Sequence, residues 1–246
     1  MSPVSQVDLP EPLVPAARVL FAQRLPLAER YAELLAGDGL VRGLIGPREA
    51  PRIWDRHLLN CAAVAEFIPD GVSVTDVGSG AGLPGIVLAL ARPDLTVLLV
   101  EPMARRTAFL DEAVAALDLG DRVSVVRGRA EELAGRVPPA SVVTARAVAP
   151  LDKLAAWCLP LTAVGGRLLA LKGATAADEV AAHCAAIGRL GGGTPTVRQA
   201  GADVLPEPTT VVEIVRERAT VQGDRATARG GRTTGRDRAA GPRRPR

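Results

Sequence analysis

The chain has 246 residues, 48% hydrophobic and 23% charged, and a formal net charge of +3 at neutral pH. That length suits one substantial apolar core with room for a small appended element, in an ordinary globular composition. No apolar run approaches the roughly 18 to 20 residues of a membrane-spanning helix, and three widely spaced cysteines with two distant histidines form neither a disulfide framework nor a zinc site. A cytoplasmic protein without bound metal is expected.

Residues 1–15, "MSPVSQVDLPEPLVP", hold four prolines and read as a flexible leader. They lack the basic-then-apolar order of a signal peptide. From 16 to 70 the apolar positions recur at helical spacing: Leu20 and Phe21, then Tyr31, Leu34 and Leu35, then Leu58 and Leu59. With Gly and Pro breaks near 37–51, this predicts two or three helices before the first strand.

From 71 to 218 the pattern alternates. "SVTDVGS" (73–79) predicts a strand, and Pro84, suited to a first helical position, opens a helix through Ala91. "TVLLVEP" (96–102) is a second strand, continuously apolar as a strand buried on both faces should be. A helix over 103–118 follows, then strands at 122–128 and 141–147, a helix over "LDKLAAWCLPL", a strand at 166–173 and a helix near 176–189. Two strand-like runs, 194–204 and 209–217, end the segment with no helix between them. Alternating strands and helices imply a mostly parallel twisted sheet covered on both faces. The final pair implies an antiparallel hairpin at one edge.

Residues 219–246 hold eight Arg and two Asp, a balance of +6 that leaves −3 for residues 1–218. Poor in large apolar side chains, this segment reads as a disordered Arg-rich tail. It is either an electrostatic arm for RNA or a solvated extension in a chain where Arg outnumbers Lys 28 to two.

The sharpest local signal is "DVGSGAGLPG" (76–85), a glycine turn between a strand and a helix. Gly78, Gly80 and Gly82 let the backbone bend and approach a ligand without a Cβ in the way. Glu101 ends the second strand, 23 residues after Gly78, where a carboxylate can accept both hydroxyls of a ribose. A dinucleotide fingerprint would need glycine at position 83, which is Leu83. Leu83 with Pro84 would crowd a pyrophosphate at the helix start. S-adenosylmethionine has no phosphates, so the loop favours a methyl donor over a dinucleotide.

"DVGSGAGLPGIVLAL", "LVEPMARRTAFL", "VVRGRAEEL", "TARAVAPLDKLAAW" and "GGRLLALKG", with "WDRHLLNCA" upstream, together resemble the bacterial glucose-inhibited division protein B family over about residues 40 to 190. That resemblance implies an α/β, Rossmann-like class I S-adenosylmethionine-dependent methyltransferase acting on guanine N7 of 16S ribosomal RNA. It places Gly78 and Leu83 beside the methionine part of the cofactor, Glu101 at the ribose, and Ala130 and Glu131 beside the adenine. Arg146 would stand near donor and target base, with Lys172 ending the fifth strand and Arg56 and His57 near the pocket entrance. Asp76 would bind the cofactor through water or orient the loop.

Several positions admit a plainer reading. His57, followed by two leucines, fits a hydrogen-bonded helix histidine as well as a substrate contact. Glu131 and Glu132 suit a solvated helix start. Trp157 and Cys158 read as core. Arg146 differs, because it interrupts an apolar strand where open sheets present ligand groups, and an unpartnered charge there is costly.

Guanine N7 carries an in-plane lone pair, so direct in-line transfer needs alignment more than a base. The chain lacks the (D/N/S)-P-P-(Y/F) turn used on exocyclic amines and a loop cysteine nucleophile. Arg146 and Lys172 are the expected catalytic residues. With six aromatic residues, none clustered, RNA recognition would rest on shape and phosphates through Arg52, Arg56, Arg105, Arg106, Arg127 and Arg129. A monomer is expected, with 16S RNA or the small ribosomal subunit as partner. The rival readings are a methyltransferase of another RNA or of a small molecule, and a binding module with a vestigial glycine loop.

Overall fold

The computed structural model describes residues 7–146 and 149–220. Seven strands form one sheet: β1 (Ser73–Val77), β2 (Thr96–Glu101), β3 (Val123–Arg127), β4 (Ala140–Arg146), β5 (Thr162–Leu171), β6 (Thr196–Ala200) and β7 (Thr209–Val215). Their order is β3-β2-β1-β4-β5-β7-β6. Pairs among β1 to β5 are parallel, while β7 runs antiparallel to both neighbours, β5 and β6. The expected edge hairpin is therefore present, with its second strand inserted inside. The order reverses between β1 and β4, which opens a crevice at their carboxyl ends.

Helices α1 (Val14–Phe21) and α2 (Leu25–Leu34) precede a helical run from Ala50 to Phe67 that contains α3 (Asn60–Ala63). Within that run Ile53–Leu59 are wound as a π-helix. After β1 come α4 (Gly85–Ala91), α5 (Ala104–Ala116), the single turn α6 (Ala130–Leu133), α7 (Leu151–Cys158) and α8 (Ala176–Arg189).

The central strands β1, β2 and β4 are mostly apolar because both faces are buried, whereas the edge strand β6 is polar and largely exposed. Along β4, Val142 packs with α1, α2, α4 and α5, whereas Val143 and Ala145 pack with α6 to α8. Gly85 is required by the same close packing, since a Cβ there would lie 2.3 Å from Leu99 Cδ2.

Three expectations change. Residues 7–15 are not a loose leader: Glu11–Leu13 form a 3₁₀ turn, α1 follows, and the Val7 carbonyl accepts a hydrogen bond from Trp54 Nε1 at 3.2 Å. Pro12 and Pro15 occupy early helical positions, where no backbone N–H is needed. Pro84 does not lie inside its helix; it caps α4, after a cis Leu83–Pro84 bond. β5 begins at Thr162, four residues early, because Gly165 and Gly166 pass through an irregular register beside β4. The end of the expected fourth strand, at Ala147, and the Arg-rich tail from 221 onward lie outside the described residues.

Candidate active site

The glycine loop leaves β1 and is stitched to the end of β2. Gly78 and Ser79 donate their amides to the Val100 carbonyl at 2.9 and 3.1 Å. The Gly80 amide donates to Glu101 Oε2 at 3.0 Å, and Met103 N to Glu101 Oε1 at 3.0 Å. Gly78, Gly80 and Gly82 all have positive φ, respectively 71°, 58° and 97°, which favours glycine at each. Their surroundings differ. A Cβ on Gly80 would meet only the Gly78 carbonyl, at 3.8 Å, so its open side is free for a ligand. A Cβ on Gly82 would lie 2.5 Å from Ile86 Cδ1 and 2.8 Å from the Tyr31 hydroxyl. At Gly82 the loop's own packing against Ile86 and Tyr31 excludes a side chain.

Asp76 lies beneath this loop, fully buried. Its Oδ2 accepts from the Gly85 amide at 3.1 Å and its Oδ1 from Thr144 Oγ1 at 2.9 Å. Burial raises its carboxyl to about 6, with those two hydrogen bonds and the Arg146 charge pulling the other way. These bonds tie α4 to β1 and β4.

Three hollows run along the carboxyl ends of the strands. The first, about 270 Å³, has an apolar wall of Val77, Val100, Ala130 and Trp157, with Glu101 at its base and Glu131 at its rim. Glu101 is only 1% exposed. Its two oxygens retain lone pairs beyond those given to the loop amides. Arg106 Nη1 stands 3.7 Å from Glu101 Oε2. The second, about 250 Å³, is lined by Gly78, Gly80, Leu83, Arg106, His57 and Arg146. The third, about 730 Å³, is lined by Arg52, Arg56, Asn60, Arg146, Lys172 and Glu207, among others. Gly78 and Arg106 belong to the first two, and Arg146 to the last two.

Arg146 ends β4 at this junction and is held from behind. Its Nη1 approaches Cys61 Sγ at 3.3 Å and its Nη2 donates to His57 Nδ1. That bond makes Nδ1 an acceptor and assigns the ring proton to Nε2. Nε2 faces Glu49 Oε2 at 3.2 Å, off the line of a hydrogen bond. His57 is 5% exposed, and burial followed by the Arg146 charge brings it down to about 4. It is therefore neutral near pH 7 and lines the second hollow beside Arg146. The wide π turn of Ile53–Leu59 delivers it inward while Arg56 stays exposed.

Lys172 lies just past β5, which ends at Leu171, and is anchored: Nζ donates to the Ala149 carbonyl at 2.8 Å and to Glu179 Oε2 at 2.7 Å. Arg129 lines the first hollow. Arg105 and Arg127 are exposed and line none of the three hollows. Trp157, expected in the core, is only partly buried and walls the first hollow, whereas Cys158 is fully buried as expected. Tyr31, marked in the sequence only as a helical apolar position, and Glu49 carry no local signal of a role at the site; Tyr31 reaches the loop across 50 residues, donating to the Ala81 carbonyl at 2.5 Å.

A β1 glycine turn, a carboxylate ending β2 and the reversed β7 between β5 and β6 define the class I S-adenosylmethionine-dependent methyltransferase fold. The fold is shared with an S-adenosylmethionine-dependent O-methyltransferase from Thermotoga maritima, at a TM-score of 0.52 and 14% identity over 65% of each chain. Within that class, the family model described as GidB, rRNA small subunit methyltransferase G, matches residues 24–202. The ribosomal RNA small subunit methyltransferase G of Salinispora tropica is 69% identical over 87% of this chain and 90% of its own. That of Streptomyces coelicolor is 56% identical over 84% and 86%. The chain belongs to the GidB family of rRNA methyltransferases. Among the described residues, no group of three or more His, Cys, Asp or Glu could hold a metal, and no helix is long and apolar enough to cross a membrane.

Proposed function

We propose that this chain methylates N7 of a guanine in 16S ribosomal RNA by direct in-line transfer, with S-adenosylmethionine as donor. The observation that carries the reading is the position of Arg146, on the wall common to the loop-lined hollow and the larger cavity. Bound cofactor supplies an electrophilic sulfonium methyl. The residues present suit it: the open side of Gly80 and the free lone pairs of Glu101 offer a cradle for an uncharged ribose. Ala130, Glu131 and the apolar wall with Trp157 suit a purine, and Gly78 and Leu83 the amino-acid part. Gly82 and Asp76 act from beneath, by fixing the loop.

On the acceptor side, Arg146 aligns the target or holds the cofactor carboxylate. The Lys172 ammonium keeps one of its three N–H donors for a phosphate or guanine O6. N7 attacks through its own lone pair. His57, neutral and with Nδ1 engaged by Arg146, is accordingly a positioning residue and not a base. Arg52 and Arg56 flank the cavity, and Arg105, Arg106, Arg127 and Arg129 extend the cationic surface for phosphates, with the protein acting as a cytoplasmic monomer.

The test is label transfer from S-adenosylmethionine to 16S RNA and to small subunits, followed by strand scission selective for N7-methylguanine. Label without scission would refute the assigned atom, and no label in either RNA would refute the substrate. Arg146→Ala should lower kcat/KM by about 100-fold or more, the scale of losing a group that acts in the transition state, with the fold retained by circular dichroism. Wild-type turnover in that variant would remove Arg146 from the mechanism.

A further inference from the structure

We infer that Glu207 reads the Watson–Crick edge of the target guanine, an assignment that rests on the guanine-N7 reading above. The large cavity has two ends. Arg146 stands at the end shared with the loop-lined hollow. Arg52, Arg56, Asn60 and Glu207 stand at the other, shared with a further hollow of about 250 Å³ that runs out past Leu13 and Leu205. A purine that presents N7 toward Arg146 and the donor turns its N1 and C2 substituents toward the far end, because these lie on opposite sides of the fused rings.

Guanine carries two adjacent donors there, N1–H and the 2-amino group. A carboxylate accepts both at once, as it accepts the paired donors of a guanidinium. Two carboxylates line the cavity. Glu179 is engaged by Lys172 Nζ at 2.7 Å and by the Leu151 amide at 3.0 Å. Glu207 takes no hydrogen bond or ion pair from a described residue, and its charge is felt by Arg52. It lies exposed on the connection between β6 and β7, between Pro206 and Pro208, whose fixed φ angles restrict the backbone that presents it. Adenine offers an acceptor at N1 and would set a lone pair against the carboxylate, so the same group rejects the other purine.

The experiment uses full-length protein and 16S RNA ligated with guanosine or inosine at the methylated position mapped by strand scission. Inosine keeps N7, N1–H and O6 and lacks the 2-amino group. Wild type should methylate guanosine about ten-fold or more faster than inosine in kcat/KM. Glu207→Ala should lower the guanosine rate about 10- to 100-fold and bring the two substrates to near equality, with S-adenosylmethionine affinity and Tm unchanged. Glu207→Gln, which keeps one acceptor, should fall between. A Glu207→Ala enzyme that retains the wild-type guanosine-to-inosine ratio overturns the assignment, as does a wild type that does not discriminate. Failure of wild type to methylate the guanosine RNA would instead overturn the underlying reading of substrate and atom.

Discussion

Asp76 is fully buried in β1, and its carboxyl is raised to about 6, against about 4 in an unfolded chain. Between those values the folded chain holds a proton that the unfolded chain has released. This contribution to stability is complete below about pH 4 and is lost as pH rises through about 6. His57 runs the other way. Brought down to about 4 from about 6.5, it leaves the unfolded chain with the extra proton, so its contribution is present above about pH 6.5 and lost as pH falls through about 4. The two slopes oppose each other over the same window. In Asp76→Asn the amide keeps both partners, because the Thr144 hydroxyl can accept as readily as it donates. Relative to wild type, that variant should gain about 2 kcal/mol of stability from pH 4 to pH 7, read from denaturant midpoints. Parallel curves for the two proteins would show that Asp76 does not titrate in this range.

At the scale of elements, the glycine loop is set from three sides: the end of β2 through Val100 and Glu101, α4 through Ile86, and α2 through Tyr31. Tyr31→Phe leaves the buried Ala81 carbonyl without its donor, at a cost of about 1–3 kcal/mol. It should weaken S-adenosylmethionine binding more than RNA binding, measured by calorimetry and by filter retention. Equal losses would mean a general loss of folding. Gly82→Ala combines a φ of 97° with a Cβ 2.5 Å from Ile86 and should cost about 3 kcal/mol or more. An unchanged Tm would show that the loop has room to relax. These relations also mark what a sequence can disclose. Glu101 and Arg146 were legible because each is a charge closing an apolar strand, and the central strands because their burial on both faces leaves largely apolar runs. The site roles of Tyr31, Glu49 and Trp157 were not, since periodicity marks Tyr31 and Trp157 only as apolar helix positions and their partners lie far along the chain. For His57 the sequence left two readings, a hydrogen-bonded helix histidine and a substrate contact, and a π turn directs it inward to a buried bond with Arg146.

For the whole molecule, charge is divided between a body of −3 over residues 1–218 and a terminal stretch of +6. Deleting 221–246 should weaken 16S RNA binding chiefly at low salt and flatten the dependence of log affinity on log salt, by roughly one for each phosphate no longer neutralised. An identical slope for the shortened protein would mean that these arginines neutralise no phosphates. The sheet order was only partly foreseeable: alternation predicts parallel strands, whereas placing β7 inside β6 depends on which edge of β5 stays open.

The apolar cluster that joins Ala16, Phe21 and Tyr31 to Ile86, Leu110 and Val211 has a consequence for the order of synthesis. The first helices leave the ribosome well before α4 and the last strand exist, so their apolar faces must wait without a partner while the remainder is translated. Short amphipathic helices of eight and ten residues do not hold their shape alone in water. Stalled nascent chains should therefore leave α1 and α2 open to protease until residues beyond Val211 have emerged, with protection then appearing in a single step.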